Sequence, residues 1–171
     1  DAEAIHISHS GRGVVRNYGD FNQHENMVKL YGQTFDQYAE TAWTPTYKPD
    51  LVVIYLGAND FSTGKQPTLT QWCESYKALL TKVREFHGEV PVLCVAAKSD
   101  ETLGLWVKAA VERSGLKNVF AIAINPQVHN NDSDLGASYH PNYSGHRKMA
   151  SVIAPYIATI MNWSMPFEPY E

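Results

Sequence analysis

The sequence predicts a three-layer α/β/α domain built on a parallel sheet, and three observations carry the prediction. Apolar runs at 50–57 (DLVVIYLG), 90–97 (VPVLCVAA) and 118–124 (NVFAIAI) are nearly unbroken, as strands covered on both faces are. Helical periodicity fills the gaps after the first two runs and returns after the third. Strands that alternate with helices of this length pair in parallel and carry helices on both faces. The length, 171 residues, suits one domain with a substantial core and is short for two.

The elements read in order as follows. AIHIS (4–8) alternates as a strand does and stops at SGRG, a turn with two glycines. Residues 14–49 are polar, tyrosine-rich and weakly periodic, a long loop with a short helix around 28–40. In PTLTQ, Thr68 and Gln71 have capping-box spacing, and Trp72, Tyr76, Leu79, Leu80, Val83 and Phe86 then share one helical face until Gly88. A helix over 100–114 stops at Gly115, and a loop rich in Asn and Asp (125–140) leads to a last helix over 143–162, bent at Pro155. Cys73 and Cys94 fall in a helix and a strand, where buried free thiols compete with a disulfide.

Composition excludes several classes. A net charge of −4 with scattered Lys and Arg is not a nucleic-acid surface. No run of eighteen apolar residues offers a membrane span. No strand is followed by a glycine-rich phosphate loop, which disfavours a nucleotide binder. HNNDSD (129–134) lacks calcium-loop spacing and reads as a solvated loop, so neither metal nor cofactor is expected.

In a parallel α/β sheet, ligands bind beyond the carboxyl ends of the strands. Three loops leave those ends, at 9–13, 57–62 and 125–140. In the first, Gly11 and Gly13 permit a sharp turn with N–H groups facing a cleft, or form an ordinary turn. In the second, LGANDFS, Asn59 can aim an amide at a developing oxyanion and Asp60 can fix the loop; a strand-end turn is the competing account. In the third, GASYHPN, His140 precedes a proline at a helix entrance, placed as a base or as a structural histidine. His146 reads as helix surface.

Taken jointly, SGRG, GAND and HPN resemble the conserved blocks of the SGNH (GDSL-type) hydrolases, and ISHSGRGVVRNYG, KPDLVVIYLGANDFS and HPNYSGHRKMA are similar to carbohydrate esterase family 2. The resemblance runs over nearly the whole chain. It implies a flavodoxin-like sheet, removal of acetyl groups from plant polysaccharide outside the cell, Gly11 and Asn59 as oxyanion donors and His140 as general base. Arg12, Asp60, Trp106 and Tyr139 would contact the sugar, with Trp43 and Tyr143 as further stacking platforms; for the aromatics, core or loop packing is the alternative. A non-catalytic carbohydrate-binding module using the same cleft is the competing function.

Two departures from the family pattern stand out. The family's Gly-Asp-Ser nucleophile does not occur in these residues; Ser8 and Ser10 are the nearest hydroxyls, and neither follows Gly-Asp. The expectation is therefore that residues 1–171 form the carboxyl-terminal portion of the catalytic domain. An upstream segment would supply the serine, a first strand lying between 4–8 and 50–57, its helix, and a β-sandwich module. Second, Ala137 and Ser138 occupy positions where the family usually places the aspartate of its triad. A main-chain carbonyl accepting from His140 Nδ1 is the first expected substitute, ahead of the Ser138 hydroxyl or Asp132 or Asp134 folding back.

Overall fold

A computed structural model of the chain describes residues 2–20, 25–34, 42–97, 101–124 and 132–165. Its elements are α1 (Met27–Leu30), β1 (Val52–Tyr55), α2 (Leu69–His87), β2 (Val92–Ala96), α3 (Thr102–Ser114), β3 (Val119–Ala123) and α4 (Tyr143–Met161). The three strands pair in parallel in the order β1-β2-β3, with Ile54 beside Cys94 and Cys94 beside Ala121.

β2 shows why its apolar run is continuous. Val92, Cys94 and Ala96 point into a core shared with α2 and α3, whereas Leu93, Val95 and Ala97 meet Met149 and the inner face of α4. With a side-chain period of two and a helix layer on each side, every residue of the strand must be apolar. All five are buried.

α2 begins at the expected capping box: Gln71 N–H donates to Thr68 Oγ1 (3.2 Å) while Thr68 N–H donates to Gln71 Oε1 (2.9 Å). Trp72 and Tyr76 on its inner face are fully buried, and Trp72 meets Phe61, Tyr76 and Trp106 at ring separations of 5.5, 5.2 and 6.4 Å. This aromatic cluster is the largest apolar mass of the core, where truncating a buried Trp typically costs about 3–5 kcal/mol. Cys73 and Cys94 are both free and buried, and burial raises the Cys94 thiol to about 12. α4 runs through Pro155 without interruption to Met161.

Two expectations need correction. Residues 2–9 form no strand: they join no ladder among the described residues, and Ile5 and Ile7 stay 53% and 38% exposed. Alternation suits a strand face, but a strand exists only through a partner's hydrogen bonds, and none is offered here. β1 is the edge of the described sheet, as expected if its neighbouring first strand is not among these residues, with Ile54 buried and Val53 and Tyr55 each 45% exposed. The helix expected around 28–40 is a single turn over Met27–Leu30, and 35–41 lie outside the described residues.

His87, at the end of α2, is buried where the sequence reading placed nothing. Its Nε2 lies 2.8 Å from Tyr31 Oη, and its ring stacks on Tyr47 at 5.8 Å. Nδ1 is buried with no hydrogen-bond partner among the described residues, and burial lowers the imidazole below the ordinary histidine value of 6.5 while raising Tyr31 to about 12. A lowered folded-state value means that the unfolded chain binds the proton first as pH falls. The stability His87 contributes should be intact above about pH 6.5 and fade below it. Urea denaturation at pH 7.5 and pH 5.0 checks this: the wild-type advantage over His87→Phe should shrink at the lower pH, and a constant advantage would contradict it.

Candidate active site

The loops after residue 9 and after β1 are joined through one buried side chain. Asp60 is 0% exposed, and its carboxylate accepts the main-chain N–H groups of Val14 (2.9 Å), Val15 (2.6 Å) and Arg16 (3.0 Å). Burial pushes the carboxyl up, and the three N–H donors pull it back toward the ionised form. The Arg16 guanidinium closes the same gap by donating to Thr63 O (2.6 Å) and Lys65 O (2.8 Å). Gly13 is glycine because a Cβ there would overlap Arg16 O and the Asp60 carboxylate. Gly57 holds φ at 121°, and its side-chain space is taken by Leu103 and Trp72.

The two oxyanion candidates sit on this frame. Asn59 Nδ2 donates to Arg12 O at 2.8 Å, which fixes the amide and leaves its second N–H for a ligand. Ser62 Oγ in turn donates to Asn59 O (2.6 Å) and accepts from Gly19 N–H (3.1 Å). Gly11 adopts φ 72°, and no acceptor for its N–H exists among the described residues.

His140 follows a short turn over Ala137–Tyr139 and immediately precedes the entrance to α4. Its Nδ1 is 3.2 Å from Ala137 O. A carbonyl only accepts, so Nδ1 carries the proton in this pair and Nε2 presents a lone pair. Ala137 O also accepts the main-chain N–H of His140 at 3.1 Å. Of the substitutes for the missing aspartate, the carbonyl is the one in place. Asp134 is buried and engaged elsewhere, by Lys148 and Ser144, while Asp132 is exposed. No hydrogen bond joins His140 to Gly11, Asn59, Ser8 or Ser10 among the described residues.

The sugar-contacting candidates divide. Tyr139 and Tyr143 flank His140 and are 87% and 78% exposed. Trp106 is half-buried, edge-on to Phe61 at 5.0 Å, with its carbonyl taken by Trp72 Nε1 (3.0 Å); packing accounts for this side of the ring. Trp43 packs beside Tyr47 at 6.1 Å. Arg12 is 7% exposed, and what it gives the site is its carbonyl. Asp60 is corrected outright: a fully buried carboxylate occupied by three N–H donors fixes the loop and does not reach a sugar. His146 is on the surface of α4.

The model of the GDSL-like lipase/acylhydrolase family matches residues 10–148, which include Gly11, Asn59 and His140. The chain belongs to that family. It is similar to the cellulase/esterase CelE of Acetivibrio thermocellus, 29% identical over 95% of this chain and 20% of that protein. It is also similar to an acetylxylan esterase/glucomannan deacetylase of Cellvibrio japonicus, 23% identical over 95% of this chain and 46% of that protein. Among solved structures, a family two carbohydrate esterase from Clostridium thermocellum, in complex with cellohexaose, superposes with a TM-score of 0.77 at 28% identity, covering 90% of this chain and 49% of that one. The chain thus spans about half the length of these relatives, and a fifth of CelE.

The buried carboxylate yields a prediction independent of activity. Asp60→Asn offers one acceptor and turns an amide donor against main-chain N–H groups, and should cost about 3 kcal/mol or more in urea denaturation. A loss below about 1 kcal/mol, within the range of an ordinary surface change, would show that the carboxylate does not hold the loops.

Proposed function

We propose that this protein is a carbohydrate esterase that removes O-acetyl groups from plant cell-wall polysaccharide by a serine–histidine dyad. The observation that carries the reading is the His140 Nδ1–Ala137 O pair, which presents Nε2 as a base. The dyad's serine is assigned to a segment of the same protein outside these residues, in which Gly-Asp-Ser does not occur. The open edge of β1 in the described sheet supports such a segment, and so does the greater length of the relatives. The expected β-sandwich module belongs to the same proposal. The enzyme acts outside the cell, where its polymer lies; no described helix is long and apolar enough to cross a membrane.

In the proposed reaction His140 Nε2 takes the serine proton as Oγ attacks the acetyl carbonyl. The Gly11 N–H and the free Asn59 amide proton hold the resulting oxyanion. Collapse breaks the ester bond, the sugar oxygen leaves with the proton from His140, and water repeats the sequence on the acyl-serine. The exposed rings of Tyr139 and Tyr143 offer stacking faces to the glycan, Trp106 and Asp60 act through packing and loop-fixing rather than contact, and Arg12 lies in the turn that bears Gly11.

A second reading, glycan binding without turnover, is favoured by the 87% exposure of Tyr139 and by a His140 that meets no carboxylate among the described residues. Both readings are separable in the full-length protein. With acetylated xylan, His140→Ala should lose acetate release by roughly 10³-fold or more, and Asn59→Ala by roughly 10²–10³-fold in kcat. Unchanged turnover in His140→Ala would overturn the assignment. Calorimetric binding of unacetylated glucan by a wild-type protein that releases no acetate would establish the second reading.

A further inference from the structure

The turn that carries His140 is strained, and among the described residues no carboxylate bonds its imidazole. Ser138 and Tyr139 occupy successive left-handed conformations, φ 54° and 61°, which non-glycine residues avoid. Such a turn persists only where its surroundings over-determine it. Ala137 O can orient the imidazole only if Ala137 itself is fixed, so the question moves to what fixes residues 136–140.

The flanks of the turn are stapled to each other. Gly136 N–H donates to His140 O (2.7 Å), Leu135 bridges Pro141, and Asn142 Nδ2 donates to Ser133 O (2.8 Å) and Leu135 O (3.3 Å). Asn142 also caps α4, its Oδ1 accepting from Gly145 N–H at 3.1 Å. Beneath these staples lies Asp134, 0% exposed. Its carboxylate takes Lys148 Nζ at 2.6 Å and Ser144 Oγ at 2.9 Å, both from α4, and its main-chain oxygen accepts Asn142 N–H at 2.8 Å. The helix approaches so closely that a Cβ on Gly145 would collide with Asp134 O. One buried side chain thus binds the start of the loop to the first two turns of α4, with the His140 turn held between.

We infer that Asp134 is the positioning residue of the base, doing at one remove, through Lys148 and Ser144, the orienting that an acid bonded to the imidazole would do directly. It never touches the ring. This rests on the reading of His140 as a base, and it gives the pair of residues at α4 positions 144 and 148 a role beyond stabilising the helix.

The test uses full-length protein labelled with 15N-histidine, the His140 signals being assigned by their absence in His140→Gln. In the wild type the ring nitrogens should report one tautomer, protonated at Nδ1. Lys148→Met, Asp134→Asn and the milder Ser144→Ala should shift them toward an average of both tautomers, and should speed amide exchange at Gly136 and His140. Lys148→Arg, which keeps the ion pair, should preserve the wild-type pattern. Met149→Ala, which opens the second core without touching Asp134, lowers stability and should leave the pattern and acetate release unaltered. Acetate release by Lys148→Met should fall roughly 10- to 100-fold in kcat with little change in KM. Wild-type tautomer and exchange in both Lys148→Met and Ser144→Ala would overturn the inference, as would the same disturbance in Met149→Ala. A wild-type protein that releases no acetate would defeat the proposed function alone, because the nuclear resonance results decide the positioning role without it.

Discussion

The site depends first on the Asp60 carboxylate. Taking a carboxylate out of water costs several kcal/mol, and three main-chain hydrogen bonds of the charge-assisted kind offset part of it. Each of those N–H groups would itself be an unmet donor without the carboxylate, so the loop over 13–16 and the loop after β1 are stable only together. Asn26 Nδ2 on Val15 O and Met27 N–H on Gly13 O extend the same frame to α1. Gly11 and Asn59 inherit their places from this arrangement, since the chain on either side of each is already spoken for.

The loop before α4 repeats the device with different chemistry. Asp134 also gathers donors from a second element, here the ammonium and hydroxyl of α4 in place of main-chain amides. In neither case does the buried acid meet the candidate catalytic groups. Each converts a flexible loop into a part of the sheet-and-helix scaffold, which is what a reaction needing sub-ångström geometry asks of its supports.

Much of the fold was legible in the sequence because period and capping are local properties. The bounds of α2, α3 and α4, the strands β2 and β3, and the capping box at Thr68 follow from residue spacing alone. Where pairing decides, spacing was silent: Ile5 and Ile7 alternate correctly yet find no ladder among the described residues. The site shows the same division. Gly11, Asn59 and His140 were singled out by residue type and surrounding motif, and their roles remain part of the proposal. Asp60 was legible as a residue that fixes its loop, but a carboxylate's letter gives no sign of burial, so it was also placed against substrate and Asp134 was placed in a solvated loop. His87 escaped for a related reason. A histidine in the last turn of a helix reads as a solvated cap, and only Tyr31 and Tyr47, brought from forty or more residues away, bury it.

A carbonyl in place of a carboxylate changes where the proposed chemistry finds its stabilisation. Both acceptors hold the same tautomer, but a carbonyl brings no charge to the imidazolium that forms when the serine gives up its proton. The developing charge separation is then met mainly from the oxyanion side, by two donors whose value depends on being fixed before the reaction begins. An N–H that must reorganise during the step loses that advantage. The investment in rigidity around Gly11 and Asn59, by a buried carboxylate, an arginine clamp and the Ser62 relay, is thus the counterpart of the acid that His140 lacks. A dyad of this kind places its precision in loops that never touch the proton.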